Sequence, residues 1–233
     1  MKQYLSCTAL LDFYAENIQH LITEKGWLNL AQTERIKVIY NFVKDDITFG
    51  FNEDDSLTAS KILQMGYGQC NTKSILFMAL LRALGLPCRL HGFTIDKSLQ
   101  YGIMLGEIYE MAPQEIYHTW VEVYINGQWL NFEGIILDKG YLTSLQKKYA
   151  THKGKFVGYG VAIDDLANAP IEWHGDNSTY IQRAGIVQDL GLFDSPDDFF
   201  SKYEQKMTLQ EKEIFANKIR HEINRNINHI RDS

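Results

Sequence analysis

Three residues in this chain have types and spacing that can do chemistry together: Cys70, His118 and Glu133. Gly68-Gln69-Cys70 precedes a segment, Asn71 to Leu84, whose composition reads as a helix ended by Gly85 and Pro87. The sulfur therefore falls at a helix start, where unpaired N–H groups and the positive end of the macrodipole favour an anion. Thiolate is the nucleophile, and helix N-termini are among the places where it is favoured over thiol. A free cysteine is more commonly a small, inert, buried hydrophobe. What faces Cys70 must decide between the two readings.

A hairpin supplies the other two groups. Tyr117 to Ile125 and Gln128 to Leu137 are rich in β-branched and aromatic residues, and Asn126-Gly127 between them is a strong signal for a two-residue type I′ turn. That turn pairs Tyr124 with Trp129, Glu122 with Asn131 and Trp120 with Glu133. His118 and Glu133 become diagonal neighbours on one face, with Cα atoms about 7–8 Å apart, within reach of a glutamate and an imidazole. Asn131 projects from the same face but lies two pair steps from His118, ~13 Å at strand rise, so Glu133 is the preferred partner. The set is then a nucleophile, a base and an orienting carboxylate: Cys70 attacks, His118 takes its proton, and Glu133 fixes the ring and stabilises the imidazolium.

The elements that must position these groups are legible in outline. Leu10 to Ile22 and Ile36 to Val43 have helical spacing, and Leu57 to Met65 reads as a short helix closed by Gly66. The run Ile75 to Leu81 is apolar throughout, which predicts that the Cys70 helix is buried on most sides. Arg89 to Ile95 reads as a further strand. Beyond Asp138 the signals are mixed, and Asp194 to Asp198 reads as a turn. Thr208 to Glu211 matches a capping box ahead of a stripe formed by Phe215, Ile219, Ile223, Ile227 and Ile230. The expected class is α+β: a buried helix bearing the cysteine packed on an antiparallel sheet, with helical additions at both ends. Residues 1–137 would hold the N-terminal helices and core, and 138–233 an extension packed on it, one domain overall.

Composition removes several function classes. At 233 residues the chain buries roughly 70% of its unfolded surface. The formal charge of −6 offers no basic field for nucleic acid. The longest apolar run has seven residues, Ile75 to Leu81, too short for a membrane span. Tyr4-Leu5-Ser6-Cys7 is superficially like a lipoprotein cleavage site, but the apolar stretch is short and Asp12 and Glu16 follow. An odd number of cysteines at wide spacing, Cys7, Cys70 and Cys88, argues for a reducing compartment, so a cytoplasmic location with at least one free thiol is expected. Cys88 and His91 could begin a zinc site, but no second pair follows and no metal or other cofactor is expected.

The segments Thr58 to Cys70, Leu80 to Arg89, His118-Thr119-Trp120-Val121-Glu122-Val123-Tyr124 and Trp129 to Glu133 together resemble the transglutaminase-like superfamily, over about Glu34 to Glu133. That family has its nucleophilic cysteine after glycine-rich residues, its histidine in a His-x-Trp-x-Glu-Val stretch and an acidic residue four positions after the next tryptophan. Those positions fall on Cys70, His118 and Glu133, and the chain departs from the family in carrying Glu133 where aspartate is usual. The resemblance implies a papain-like fold and thioester chemistry on a peptide or protein amide, completed by water or an amine. A domain that keeps the fold as a catalytically inactive peptide-binding module is the alternative. For the oxyanion, the Cys70 backbone N–H is the natural first donor. Gln64, six residues upstream as in papain-like proteases, and Gln69 are the candidates for the second.

Overall fold

The computed structural model describes residues 1–233. Helix α1 (Glu16–Glu24) buries Ile18 and Ile22, and α2 (Gln32–Asn41) buries Ile36, Ile39 and Tyr40. A π-type turn over Phe42–Asp46 leads into β1 (Thr48–Phe49). Helix α3 (Ala59–Met65) starts where the Thr58 side chain accepts from the Lys61 N–H, and it stops at Gly66, whose φ of 71° suits a residue without Cβ. Strand β2 (Tyr67–Gly68) then pairs in parallel with β1 and delivers the chain to α4 (Cys70–Ala83).

Every α4 residue from Cys70 to Arg82 is buried, as its continuous apolar run requires. The helix packs on α2 and α3 on one side and on β3 (Cys88–Asp96) and a later strand on the other. After β3 comes a short helix, α5 (Glu107–Met111), and then the hairpin of β4 (Glu115–Ile125) and β5 (Gln128–Phe132). Asn126 and Gly127 both take positive φ, 49° and 88°, as a type I′ turn demands. The register follows: Tyr124 pairs with Trp129 and Glu122 with Asn131. The second strand ends at Phe132, shorter than the alternation to Leu137 suggests, and Glu133 lies just past the ladder.

The C-terminal half holds α6 (Lys139–Lys148), capped by Asp138, then β6 (Phe156–Gly158), β7 (Val161–Ile163) and β8 (Ile186–Phe193). Strand β8 joins the main sheet, whose order is β5-β4-β3-β8. It is an edge strand with two register shifts against β3 and no regular burial alternation, which is why its sequence gives no period-2 signal. Asp194 to Asp198, which reads as a turn, is a helix start: Ser195 accepts from the Asp198 N–H and Pro196 occupies the first turn of α7 (Pro196–Phe200).

The last helices are α8 (Leu209–Ile214), begun by the Thr208/Glu211 capping box, and α9 (Arg220–Arg231), joined by a π-type turn over Phe215–Ile219. Ile223, Ile227 and Ile230 are buried, and α9 packs on α6. The Asn224 side chain accepts from the Phe51 N–H at 2.7 Å and donates to its carbonyl at 2.9 Å. Arg231 donates to the Phe49 carbonyl at 2.7 Å and to the Asp138 carboxylate at 2.9 Å. The extension is thus stitched to the core at the strand that precedes Asn52. All three cysteines are free thiols. No helix is long and apolar enough to cross a membrane.

Candidate active site

Helix α4 puts Cys70 at its first position, where the backbone N–H lacks an intrahelical acceptor. The thiol is 8% exposed and lines a cavity of about 360 Å³. Strand β4 passes the same helix end: the Asn71 amide donates to the Tyr117 carbonyl at 3.1 Å and accepts from the Thr119 hydroxyl at 3.1 Å. These bonds fix the strand that carries His118 against the turn that carries Cys70.

His118 and Glu133 are both fully buried. The ring Nε2 and Glu133 Oε1 are 2.8 Å apart. The ring Nδ1 is enclosed with no oxygen or nitrogen partner. Burial alone would lower the basicity of this imidazole. The charge and hydrogen bonding of Cys70, then those of Glu133, more than reverse that, raising its pKa to about 10.

Glu133 is held from its other side. Its Oε2 accepts from the backbone N–H groups of Ile181, Gln182 and Arg183, at 2.8, 2.9 and 3.1 Å. These successive N–H groups run into a single 3₁₀ turn over Arg183–Gly185 and make a cup for one anionic oxygen. Glutamate is longer than the aspartate usual at this position by one methylene, and its two oxygens span His118 on one side and the cup on the other. Nothing in the sequence points to 181–183, because backbone N–H groups are common to all residues except proline. Asn131 is not part of this arrangement, since its amide donates to the Tyr180 hydroxyl at 2.7 Å.

The two oxyanion candidates lie in different places. Gln64 is on the exposed side of α3 and lines a separate surface cleft with Asn17, His20 and Lys61, so the structure does not bring it to Cys70. The cause is α3 itself: Gly66 ends that helix and β2 turns the chain away before α4 begins. Gln69 is buried and lines the Cys70 cavity, with one N–H donated to Asp55 at 2.7 Å and its carbonyl accepting from Asn52 at 3.0 Å. Burial raises the pKa of the Asp55 carboxyl against hydrogen bonds from Gln69 and Asn71, and the Asp54 charge adds to the rise.

Cys88 and His91 do not converge. The Cys88 thiol is buried against the Met78 carbonyl, its pKa pushed up to about 11 by burial, whereas His91 bridges Glu122 at 2.8 Å and Asp189 at 2.9 Å.

Residues 22–134 match the family model described as the transglutaminase-like superfamily. Over this segment the chain is similar to transglutaminase-like domains. Among solved structures, the chain is similar to a "putative cysteine protease" from Cytophaga hutchinsonii, with 14% identity and a TM-score of 0.46 over 84% of this chain and 47% of that one. It is also similar to red sea bream transglutaminase, with 17% identity and a TM-score of 0.31 over 57% of this chain and 25% of that one. The chain thus spans about half the length of the first protein and a quarter of the second. No curated protein matches the sequence. The match ends one residue after Glu133, so the cup at 181–183 lies outside the matched segment.

Proposed function

We propose that this protein is a cysteine-nucleophile enzyme that acts on peptide or protein amides through a Cys70 thioester. The observation that carries this reading is His118 with one nitrogen on Glu133 and the other left for the thiol, the carboxylate itself held by three backbone donors. Cys70 attacks the amide carbonyl, and the carbon–sulfur bond forms as the electron pair moves to oxygen. The Cys70 N–H, with the second N–H of Gln69 as the candidate partner, meets that oxyanion. When the carbon–nitrogen bond breaks, the imidazolium gives its proton to the leaving amine. Water or a second amine then attacks the thioester carbonyl, His118 takes its proton, and the carbon–sulfur bond breaks to release the acyl product and return the Cys70 thiolate.

Iodoacetamide labelling tests the reading. Cys70 should be alkylated selectively below pH 8, faster than a free thiol of reference pKa about 8.5. Cys70→Ala should abolish thioester formation and amide turnover while keeping the wild-type unfolding midpoint to within a few degrees. Full activity in that variant would exclude the proposal. An inert thiol in a folded protein would favour the peptide-binding module instead.

A further inference from the structure

The loop between β1 and α3 grips the side chain that precedes the nucleophile. Gln69 lines the Cys70 cavity, and both ends of its amide are engaged from this loop. Its Oε1 accepts from the Asn52 backbone N–H at 3.0 Å, and its Nε2 donates to Asp55 Oδ1 at 2.7 Å. A backbone N–H can only donate, so the amide has a single orientation, with its oxygen toward Asn52 and its nitrogen toward Asp55. The loop itself is pinned. Asn52 is fully buried, accepts from the Thr72 hydroxyl at 2.6 Å and donates to the Tyr67 carbonyl at 3.1 Å, while Asp54 accepts from the Ser56 N–H at 2.7 Å.

That orientation leaves one N–H over. A carboxamide nitrogen carries two donors, and the second one on Gln69 has no acceptor in the protein. The Cys70 backbone N–H likewise lacks an intrahelical acceptor, at the first position of α4. Two consecutive residues thus each hold a free donor beside the cavity that the thiol lines, and an oxyanion is the group that such a pair receives. Where the second Gln69 N–H points depends on the first being held, and Asp55 is what holds it. The Asn71 side chain, on the other side of Cys70, acts on the same carboxyl. Asp55 therefore brackets the nucleophile from the residue before it to the residue after it. A carboxylate's own charge opposes a neighbouring oxyanion, so what Asp55 contributes is aim rather than field.

We propose that Asp55 is a positioning residue for acylation: its carboxyl holds one N–H of Gln69 so that the other faces the oxyanion formed when Cys70 attacks a carbonyl. The inference rests on the Cys70 thioester reading and adds to it a residue that hydrogen-bonds neither the thiol nor the imidazole.

The test uses p-nitrophenyl acetate as acyl donor to the full chain, with the burst of p-nitrophenolate as readout. The bond between the Cys70 sulfur and the acetyl carbon forms, and the carbon–oxygen bond to p-nitrophenolate breaks. Gln69→Leu should slow the burst by about 10²- to 10³-fold, the cost of one oxyanion donor. Asp55→Ala should slow it by about 10²-fold through misplacement of that donor. Asp55→Asn keeps an acceptor oxygen for Gln69 and should recover most of the loss. Combining Asp55→Ala with Gln69→Leu should be no slower than Gln69→Leu alone, whereas a residue that merely stabilised the loop would add its cost in both backgrounds. Alkylation by iodoacetamide forms no oxyanion, so every variant should be labelled at Cys70 no slower than the wild type, which also reports an intact cleft. Unfolding midpoints are measured for each, and Asp55→Ser, with a shorter reach toward Gln69, replaces an alanine variant that does not fold. A wild-type burst rate without the Asp55 carboxyl, or an additive loss in the double variant, would overturn the inference. No burst from a wild type whose Cys70 still alkylates is a different failure, which refutes the thioester reading and this inference with it.

Discussion

Glu133 divides its two oxygens between a ring and a cup, and that division sets how substitutions there behave. Glu133→Asp withdraws the carboxylate by one methylene, so it must leave either His118 or the N–H groups of 181–183. Glu133→Gln keeps the length but removes the charge and presents an amide to four donors. Both variants should lose about 10²- to 10⁴-fold in kcat/KM, the range for a mispositioned triad imidazole. The pH profile separates this role from a merely structural one. Because His118 stays protonated up to about 10, the alkaline limb of activity, where the leaving group loses its acid, should lie near that pH. The Glu133 charge raises the His118 pKa, so Glu133→Gln should move the limb to lower pH. A limb that stays in place would mean that the carboxylate does not act on the ring.

At the scale of elements, the sheet edge depends on one close approach. A Cβ on Gly92 of β3 would lie 2.4 Å from Phe199 Cε2 and 3.1 Å from Phe193 Cε2, so α7 packs directly on the backbone of β3. Gly92→Ala should destabilise the protein by about 1–3 kcal/mol through overpacking, read as a lower urea midpoint with an unchanged slope. The elements around Cys70 and His118 are legible in the sequence because each carries its own local signal. The Asn126-Gly127 turn sets the hairpin register, Gly66 closes α3, and an uninterrupted apolar run marks α4 as central. The elements that complete the site lack such signals. Strand β8 is an irregular edge, Ser195-Pro196 suits a turn as well as a helix start, and the Glu133 cup is built from backbone alone. Gln64 has the spacing of a papain-like oxyanion donor, but the glycine and short strand after α3 carry it away from Cys70.

The molecule as a whole carries a charge balance around a lysine that the proposed chemistry does not use. Lys73 is fully buried one turn after Cys70, and its amine donates to the carbonyls of Lys44 and Ile136, both at 3.0 Å. Two acceptors suit a neutral amine, which has two N–H donors. Burial lowers its pKa to about 7 against the pull of Asp138 and Asp45, and Arg231 and Lys44 lower it further. Between about pH 7 and 10 the unfolded chain holds a proton here that the folded chain does not. Folding stability from this group therefore rises with pH across that window, by up to ~1.4 kcal/mol per unit, and is lost as pH falls through about 7. Lys73→Met should remove that slope. The difference in urea unfolding between wild type and variant at pH 7 and pH 9.5 isolates Lys73 from every other titrating group, His118 included. An identical pH dependence in the two proteins would refute it.

The cup that seats Glu133 also orders events in time. A ribosome makes Cys70 and His118 well before Ile181, Gln182 and Arg183, so for a span of synthesis the emerging chain has a thiol and an imidazole but no seated carboxylate behind the ring. Strand β8 and the α9 side chains that grip Phe49 and Phe51 come later still. The seat for Glu133 thus exists only once the C-terminal half has been made and has folded onto the sheet.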